Sequence, residues 1–241
     1  MDKYKILNGL IGNTPFVEIT YSYNNKLDKV NAKLEWYNLS GSIKDRPALN
    51  IVKCAYKEGK LVEGQTICET TSGNMGISIS AIANFTKNPV IICMPNFMSE
   101  ERKKLLKMYG AKLILTNNFK EAFLKADELG KDGAYLSHQF ENVNNEIAHF
   151  NLTAKEIYKK LNKINYFVSG VGTGGTLMGI GKFLKKKCKT KIIALDPKES
   201  SLLTLGKSIG EHKIQGLSDE IIPKDYDENL IDKIIPIKSN D

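Results

Sequence analysis

A parallel α/β fold, with helices on both faces of the sheet, is what the sequence predicts, and three observations predict it. From Thr66 onward, short apolar strands alternate with helical stretches. The same grammar resumes at Tyr166. The chain shows no internal repeat, low-complexity tract or Pro-rich linker, so any two domains share segments and do not follow one another as beads.

The elements can be justified in order. Gly12-Asn13-Thr14-Pro15 reads as a turn, followed by strands over Phe16 to Tyr21 and Val30 to Trp36, the second alternating through Ala32, Leu34 and Trp36. After a small-residue turn at Ser40-Gly41-Ser42, a helix runs from Lys44 to about Glu58 and is stopped by Gly59. The strand Thr66 to Glu69 then runs through Thr70-Thr71-Ser72-Gly73-Asn74-Met75-Gly76 into an apolar helix, Ile77 to Asn84. A second pair is the strand Val90 to Met94 with the helix Ser99 to Tyr109, where Ser99, Glu100, Glu101 and Arg102 read as a capped start. Lys112 to Leu115 is a strand, Lys120 to Leu129 a helix and Tyr135-Leu136 a short strand. In the second run the strand Tyr166 to Gly170 feeds Gly172-Thr173-Gly174-Gly175-Thr176, the helix Leu177 to Lys187 and a buried strand, Lys191 to Asp196.

The bulk numbers narrow the function. At 241 residues, 41% hydrophobic and 26% charged, the chain can bury a sizeable core. No run approaches the length of a membrane span, and Met1-Asp2-Lys3-Tyr4-Lys5 lacks the apolar stretch of a secretion signal, so a cytoplasmic location without membrane contact is expected. Cys54, Cys68, Cys93 and Cys188 show neither C-x-x-C pairing nor histidine at ligand spacing, which argues against a metal site and a disulfide framework alike. They should be reduced, with Cys93 in the core. The net charge of +8 is spread over several helices. Only Lys185-Lys186-Lys187 forms a block, at a helix end where cations suit the dipole, so the excess fits small anionic ligands and no nucleic-acid partner is expected.

Chemistry concentrates in four loops. Lys44 stands at a helix start, where the dipole and unpaired N–H groups oppose its protonation, and a neutral amine is what imine formation with an aldehyde needs. A solvated surface lysine is the plainer alternative. Gly172 to Thr176, between a strand and a helix, is a phosphate site: glycines admit close approach, and helix N–H groups and threonine hydroxyls donate. A ligand-free tight turn is the alternative, and the loop lacks the Gly-Lys-Ser/Thr ending of a nucleotide-triphosphate loop. Gly170-Val171-Gly172-Thr173-Gly174-Gly175 also fits a dinucleotide fingerprint, with Asp196 placed to hold a ribose. Against that rival, it comes late in the chain and leaves Lys44 and Asn74 without a role. Thr71-Ser72-Gly73-Asn74 can grip a carboxylate or simply cap a helix. His138-Gln139-Phe140-Glu141-Asn142 ends a strand, where open parallel sheets bind ligands.

Taken together, Asn38 to Pro47 with Lys44, Thr71 to Asn74, Gly172 to Thr176 and His212-Lys213-Ile214-Gln215-Gly216 resemble the cysteine synthase (O-acetylserine sulfhydrylase) family. These are pyridoxal-phosphate enzymes of the tryptophan synthase β-subunit fold, with cystathionine β-synthase a near relative. The likeness runs in order from Gly9 to the chain end. It implies two α/β domains with mostly parallel twisted sheets: residues 1–34 and 146–241 form the larger, phosphate-binding one, and 35–145 a smaller mobile one carrying Lys44 and the substrate loop. It implies pyridoxal 5'-phosphate as cofactor, joined to Lys44, which later moves the α-proton. Asn74 would bond the cofactor's 3-hydroxyl, and Gly172, Thr173, Gly174, Gly175 and Thr176 its phosphate. Thr71, Ser72 and Gln139 match residues that grip the amino-acid carboxylate. The implied reaction is β-replacement on an activated serine or cysteine, foremost O-acetylserine with sulfide giving cysteine and acetate, by a homodimer. Lyase or cystathionine β-synthase-like chemistry releasing sulfide, and an inactive cofactor-binding relative or interaction protein, are the other readings.

Three departures from the family pattern bear on substrate. Met75 replaces a threonine expected beside the substrate carboxylate. Ser218-Asp219-Glu220 replaces a glycine-rich Gly-Ala-Gly, bringing Asp219 and Glu220 near the site mouth as a possible general acid or base. The chain ends at Asp241, before the family's last strands and helices, so the C-terminal part of the larger domain is expected to be missing.

Overall fold

The computed structural model describes residues 3–206, 212–217, 223–224 and 226–240. It opens with helix α1 (Lys3–Leu10), which no local pattern announces. Eight residues are too few to hold a helix alone, and this one is fixed by burying Leu7 in the largest apolar cluster. Strands β1 (Phe16–Tyr23) and β2 (Lys26–Lys33) pair antiparallel around Asn24 and Asn25, whose φ values of 50° and 60° suit a tight two-residue hairpin. That turn sets the register, so the second strand ends at Lys33 instead of continuing to Trp36. Glu35–Tyr37 becomes a 3-10 turn, drawn in by Arg46.

Helix α2 (Asp45–Lys57) begins directly after Lys44, with Asp45 in its first turn and Lys57 in its last, both favourable to the dipole. Ala48, Leu49, Ile51, Val52 and Ala55 make its buried face. Strand β3 (Ile67–Thr70), helix α3 (Asn74–Thr86), β4 (Val90–Pro95), α4 (Glu100–Met108), β5 (Lys112–Thr116), α5 (Phe119–Lys131) and β6 (Tyr135–Leu136) follow in the expected sequence. They build a parallel sheet of order β5-β4-β3-β6. Ser99 precedes α4 without a side-chain cap bond, whereas Asn118 caps α5 by accepting from the Glu121 N–H at 2.9 Å. Cys68 and Cys93, on adjacent strands, are buried free thiols with Sγ atoms 4.0 Å apart.

Residues 143–165 carried no strand or helix expectation. They form α6 (Asn144–Ala148), a π-helical turn (His149–Thr153) and α7 (Ala154–Leu161). The second parallel sheet, β7-β8-β9, comprises β7 (Tyr166–Gly170), β8 (Lys191–Pro197) and β9 (Lys233–Ile237), with α8 (Gly175–Lys187) and α9 (Leu202–Leu205) between them in the chain. Helix α8 crosses α6 so closely that a Cβ on Gly179 would lie 2.5 Å from the Glu146 carbonyl oxygen. This approach brings the glycine loop against α6 and positions the site. No helix among the described residues is long and apolar enough to cross a membrane.

Candidate active site

The lysine at the head of α2 is held by its neighbours. Asp45 is fully buried and accepts from the Ser40 N–H and hydroxyl. Arg46, 1% exposed, binds Glu35 and Glu156 through both sides of its guanidinium, with distances of 2.7 to 3.0 Å. Between these two anchors Lys44 projects its Nζ to Thr173 Oγ1, donating at 3.1 Å across 129 residues of chain. The lysine loop and the glycine loop, apart in sequence, therefore share one hydrogen bond.

Around that bond the glycine loop forms a cradle at the start of α8. Thr173, Gly174 and Gly175 are buried, and Gly172 and Thr176 are half-buried. A Cβ on Gly175 would fall 2.1 Å from Asn145 Oδ1, so only glycine fits there. Thr176 Oγ1 lies 3.3 Å from His149 Nε2, whose Nδ1 meets Thr153 Oγ1 at 3.0 Å. Burial above all, and then the charges of Lys44 and Arg46, push the His149 imidazolium down to about 3, so this ring is neutral at working pH.

The third loop leaves β3 and enters α3. Thr71 is buried and accepts the Gly73 N–H at 3.0 Å, Ser72 is half-buried, and Asn74 is exposed as the first residue of α3. Met75 is 1% exposed, with its side chain in the apolar core. Because α3 begins at Asn74, successive residues turn about 100° apart, so Asn74 and Met75 cannot share a face. Gln139 is buried on the fourth loop, and its Nε2 already donates to Glu69 Oε1 at 3.3 Å and to the Thr70 carbonyl at 3.2 Å. It braces the floor beneath Thr71. Asp219 and Glu220 lie outside the described residues.

Sequence reasoning missed Glu69, Asn145 and His149. For Glu69 a signal was present: a carboxylate inside a short, fully buried parallel strand demands partners. Ser137 Oγ and Gln139 supply them. Burial raises Glu69 to about 7, opposed by hydrogen bonds from Ser137 and Gln139 and by the charge of Lys44. The folded value lies above the unfolded one, so the contribution of Glu69 to stability is full below about 4.3 and is lost as pH rises through about 7. His149 has the opposite sign, stabilising above about 6.5 and less so as pH falls toward about 3. The His149 contribution is common to both proteins, so the urea midpoint of Glu69→Gln relative to that of the unmodified chain should rise as pH increases from about 4.3 to about 7. Parallel profiles for the two proteins would refute the assignment.

The arrangement discriminates between the two ligands considered for the glycine loop. Asp196, the ribose-binding acid of the dinucleotide alternative, is 1% exposed and turns inward, where Oδ2 accepts from both the N–H and the hydroxyl of Thr204 at 3.1 Å. A glycine cradle at a helix N-terminus, lined by threonine hydroxyls, suits a phosphate monoester. A lysine amine 3.1 Å from the same cradle suits an aldehyde carried on that molecule.

Comparison with known proteins agrees. A family model described as pyridoxal-phosphate dependent enzyme matches residues 7–237. The chain is 40% identical over 235 residues to a cysteine synthase of Staphylococcus aureus, covering 95% of this chain and 76% of that protein. A hydrogen sulfide-producing enzyme from Fusobacterium nucleatum superposes with a TM-score of 0.93 at 41% identity, over 98% of this chain and 74% of that one. A cysteine synthase from Entamoeba histolytica does so with a TM-score of 0.89 at 37% identity, over 98% and 72%. The chain belongs to the pyridoxal-phosphate-dependent enzyme family.

Proposed function

We propose that this enzyme carries out β-replacement on an activated serine, making cysteine and acetate from O-acetylserine and sulfide. The observation that carries the reading is the Lys44 to Thr173 contact, flanked by the Thr71–Asn74 helix start. The names of the Staphylococcus and Entamoeba relatives support the choice of substrate. Bound pyridoxal phosphate supplies an aldehyde and a conjugated ring that takes up the electron pair released at the amino-acid Cα. The protein's residues do the rest. Lys44 Nζ would hold the cofactor through its aldehyde and, once the amino group of the substrate displaces it there, would be free to hold the proton taken from Cα. The loop Gly172, Thr173, Gly174, Gly175 and Thr176 anchors the phosphate, and the Asn74 amide meets the ring hydroxyl. Thr71 and Ser72, with N–H groups at the head of α3, orient the substrate carboxylate, and Gln139 supports them from below. Exclusion of water falls to a mobile smaller domain, residues 35–145, moving against 1–34 and 146–241. Sheet membership supports this division, since β3 to β6 lie in the first and β7 to β9 in the second.

A homodimer formed through the β1–β2 hairpin belongs to the same reading. Ile19, Tyr23 and Val30, on one face of that hairpin, are 46%, 71% and 49% exposed, an apolar surface that a second copy would cover. Cytoplasmic residence is supported by four free cysteines. The Fusobacterium neighbour favours one alternative, release of sulfide from cysteine. Purified protein loaded with cofactor should form cysteine from O-acetylserine and sulfide much faster than it releases sulfide from cysteine alone. The reverse ranking would make it a lyase, and no turnover of either substrate would refute both.

A further inference from the structure

We propose that Asn145 is a positioning residue that fixes the Thr173 hydroxyl as a proton donor to the cofactor phosphate. Asn145 is 4% exposed on α6, and its Nδ2 gives one proton to the Gln139 carbonyl and the other to Thr173 Oγ1, each at 2.9 Å. The amide cannot be turned over without loss, because the Gln139 carbonyl can only accept. Thr173 Oγ1 accepts a second proton from Lys44 Nζ at 3.1 Å. A hydroxyl oxygen has two lone pairs and one proton, and here both lone pairs are engaged. Only donation remains to it, and among the described residues no acceptor takes that proton. An anionic oxygen in the glycine cradle is the partner this geometry lacks.

A second observation points the same way. Asn145 Oδ1 is buried without a hydrogen-bond partner among the described residues and presses on Gly175, where a Cβ would lie 2.1 Å away. A buried unsatisfied amide oxygen is unfavourable by itself. It is retained where the other end of the amide has a defined task. Through Gln139 that task also links the phosphate loop to the segment beneath the substrate loop.

The inference rests on Gly172–Thr176 being the phosphate site, and the test separates the two. Apoprotein is titrated with pyridoxal 5'-phosphate and with pyridoxal, which lacks the phosphate. Asn145→Ala should weaken pyridoxal phosphate on the order of tenfold, the scale of a hydrogen bond to a charged group. It should leave pyridoxal binding within about twofold and shift the phosphorus resonance of the bound ester. In a Thr173→Val background the Asn145→Ala effect should vanish, and Thr173→Ser should bind as the unmodified chain does. Equal weakening of both ligands by Asn145→Ala, or full additivity with Thr173→Val, would overturn the proposal by reducing Asn145 to packing. If Asn145→Ala does not fold, Asn145→Ser carries the same comparison. Failure of the unmodified chain to prefer pyridoxal phosphate over pyridoxal would overturn the phosphate site and this inference with it.

Discussion

Lys44→Ala is expected to abolish turnover and the visible absorbance of bound cofactor while leaving the fold in place. The reason is chemical: a methyl group can neither join an aldehyde nor carry a proton, and proton transfer alone is worth about 10²–10⁴ in rate. The fold should survive because Lys44 is only half-buried, and the start of α2 is fixed by Asp45 and Arg46. The hydrogen bond to Thr173 that the variant loses is on the order of 1 kcal/mol. The variant's melting temperature should therefore fall by only a few degrees. Borohydride treatment of the unmodified holoenzyme should fix the cofactor on the peptide containing Lys44, and the variant should take up no such label. Full activity in the variant, or fixation on another lysine, would remove the basis for the proposed reaction.

What the sequence made legible follows from the range over which each feature is set. The Lys44, Thr71–Asn74 and Gly172–Thr176 loops are local patterns at helix starts, where glycine and hydroxyl residues suit an anion or carboxylate within a few residues. The strand-helix order from β3 to β6 is legible for a similar reason, because apolar runs and turn residues alternate there. Asn145 was invisible because its partner Thr173 lies 28 residues away and α6 is too short to show a period. His149 was hidden in a π-helical turn, with Thr176 27 residues on. The bounds of the second strand were misread because alternation through Ala32, Leu34 and Trp36 competes with the Asn24-Asn25 turn, and the turn fixes the pairing.

Arg46→Met is expected to be the most destabilising single change, by about 3–5 kcal/mol, because it takes the enclosed guanidinium away from two partly buried carboxylates. The guanidinium is enclosed, gives paired bonds to Glu35 and to Glu156, and also reaches Thr14 Oγ1 at 3.2 Å. Without it, Lys33 would face both acids alone, 2.7 Å from Glu156 and 3.9 Å from Glu35. Four segments would loosen together: the Gly12–Thr14 turn, the end of β2, the head of α2 and α7. For a chain of this length the melting temperature should fall by roughly 10 °C or more. Arg46→Lys should recover only part of the loss, since an ammonium cannot bond two carboxylates in a planar fork. The pH dependence gives an independent check. Burial raises Glu156, but the bonds from Arg46 and Lys33 outweigh it and hold the carboxyl near 2. Its stabilisation is full above about 4.3 and is lost as pH falls through about 2. The unmodified chain should thus lose stability on acidification across that window, and Arg46→Met should show a much flatter acid limb. A melting temperature within about 2 °C of the unmodified chain at neutral pH, less than a 1 kcal/mol change would give, would show that the ion cluster does not hold the head of α2.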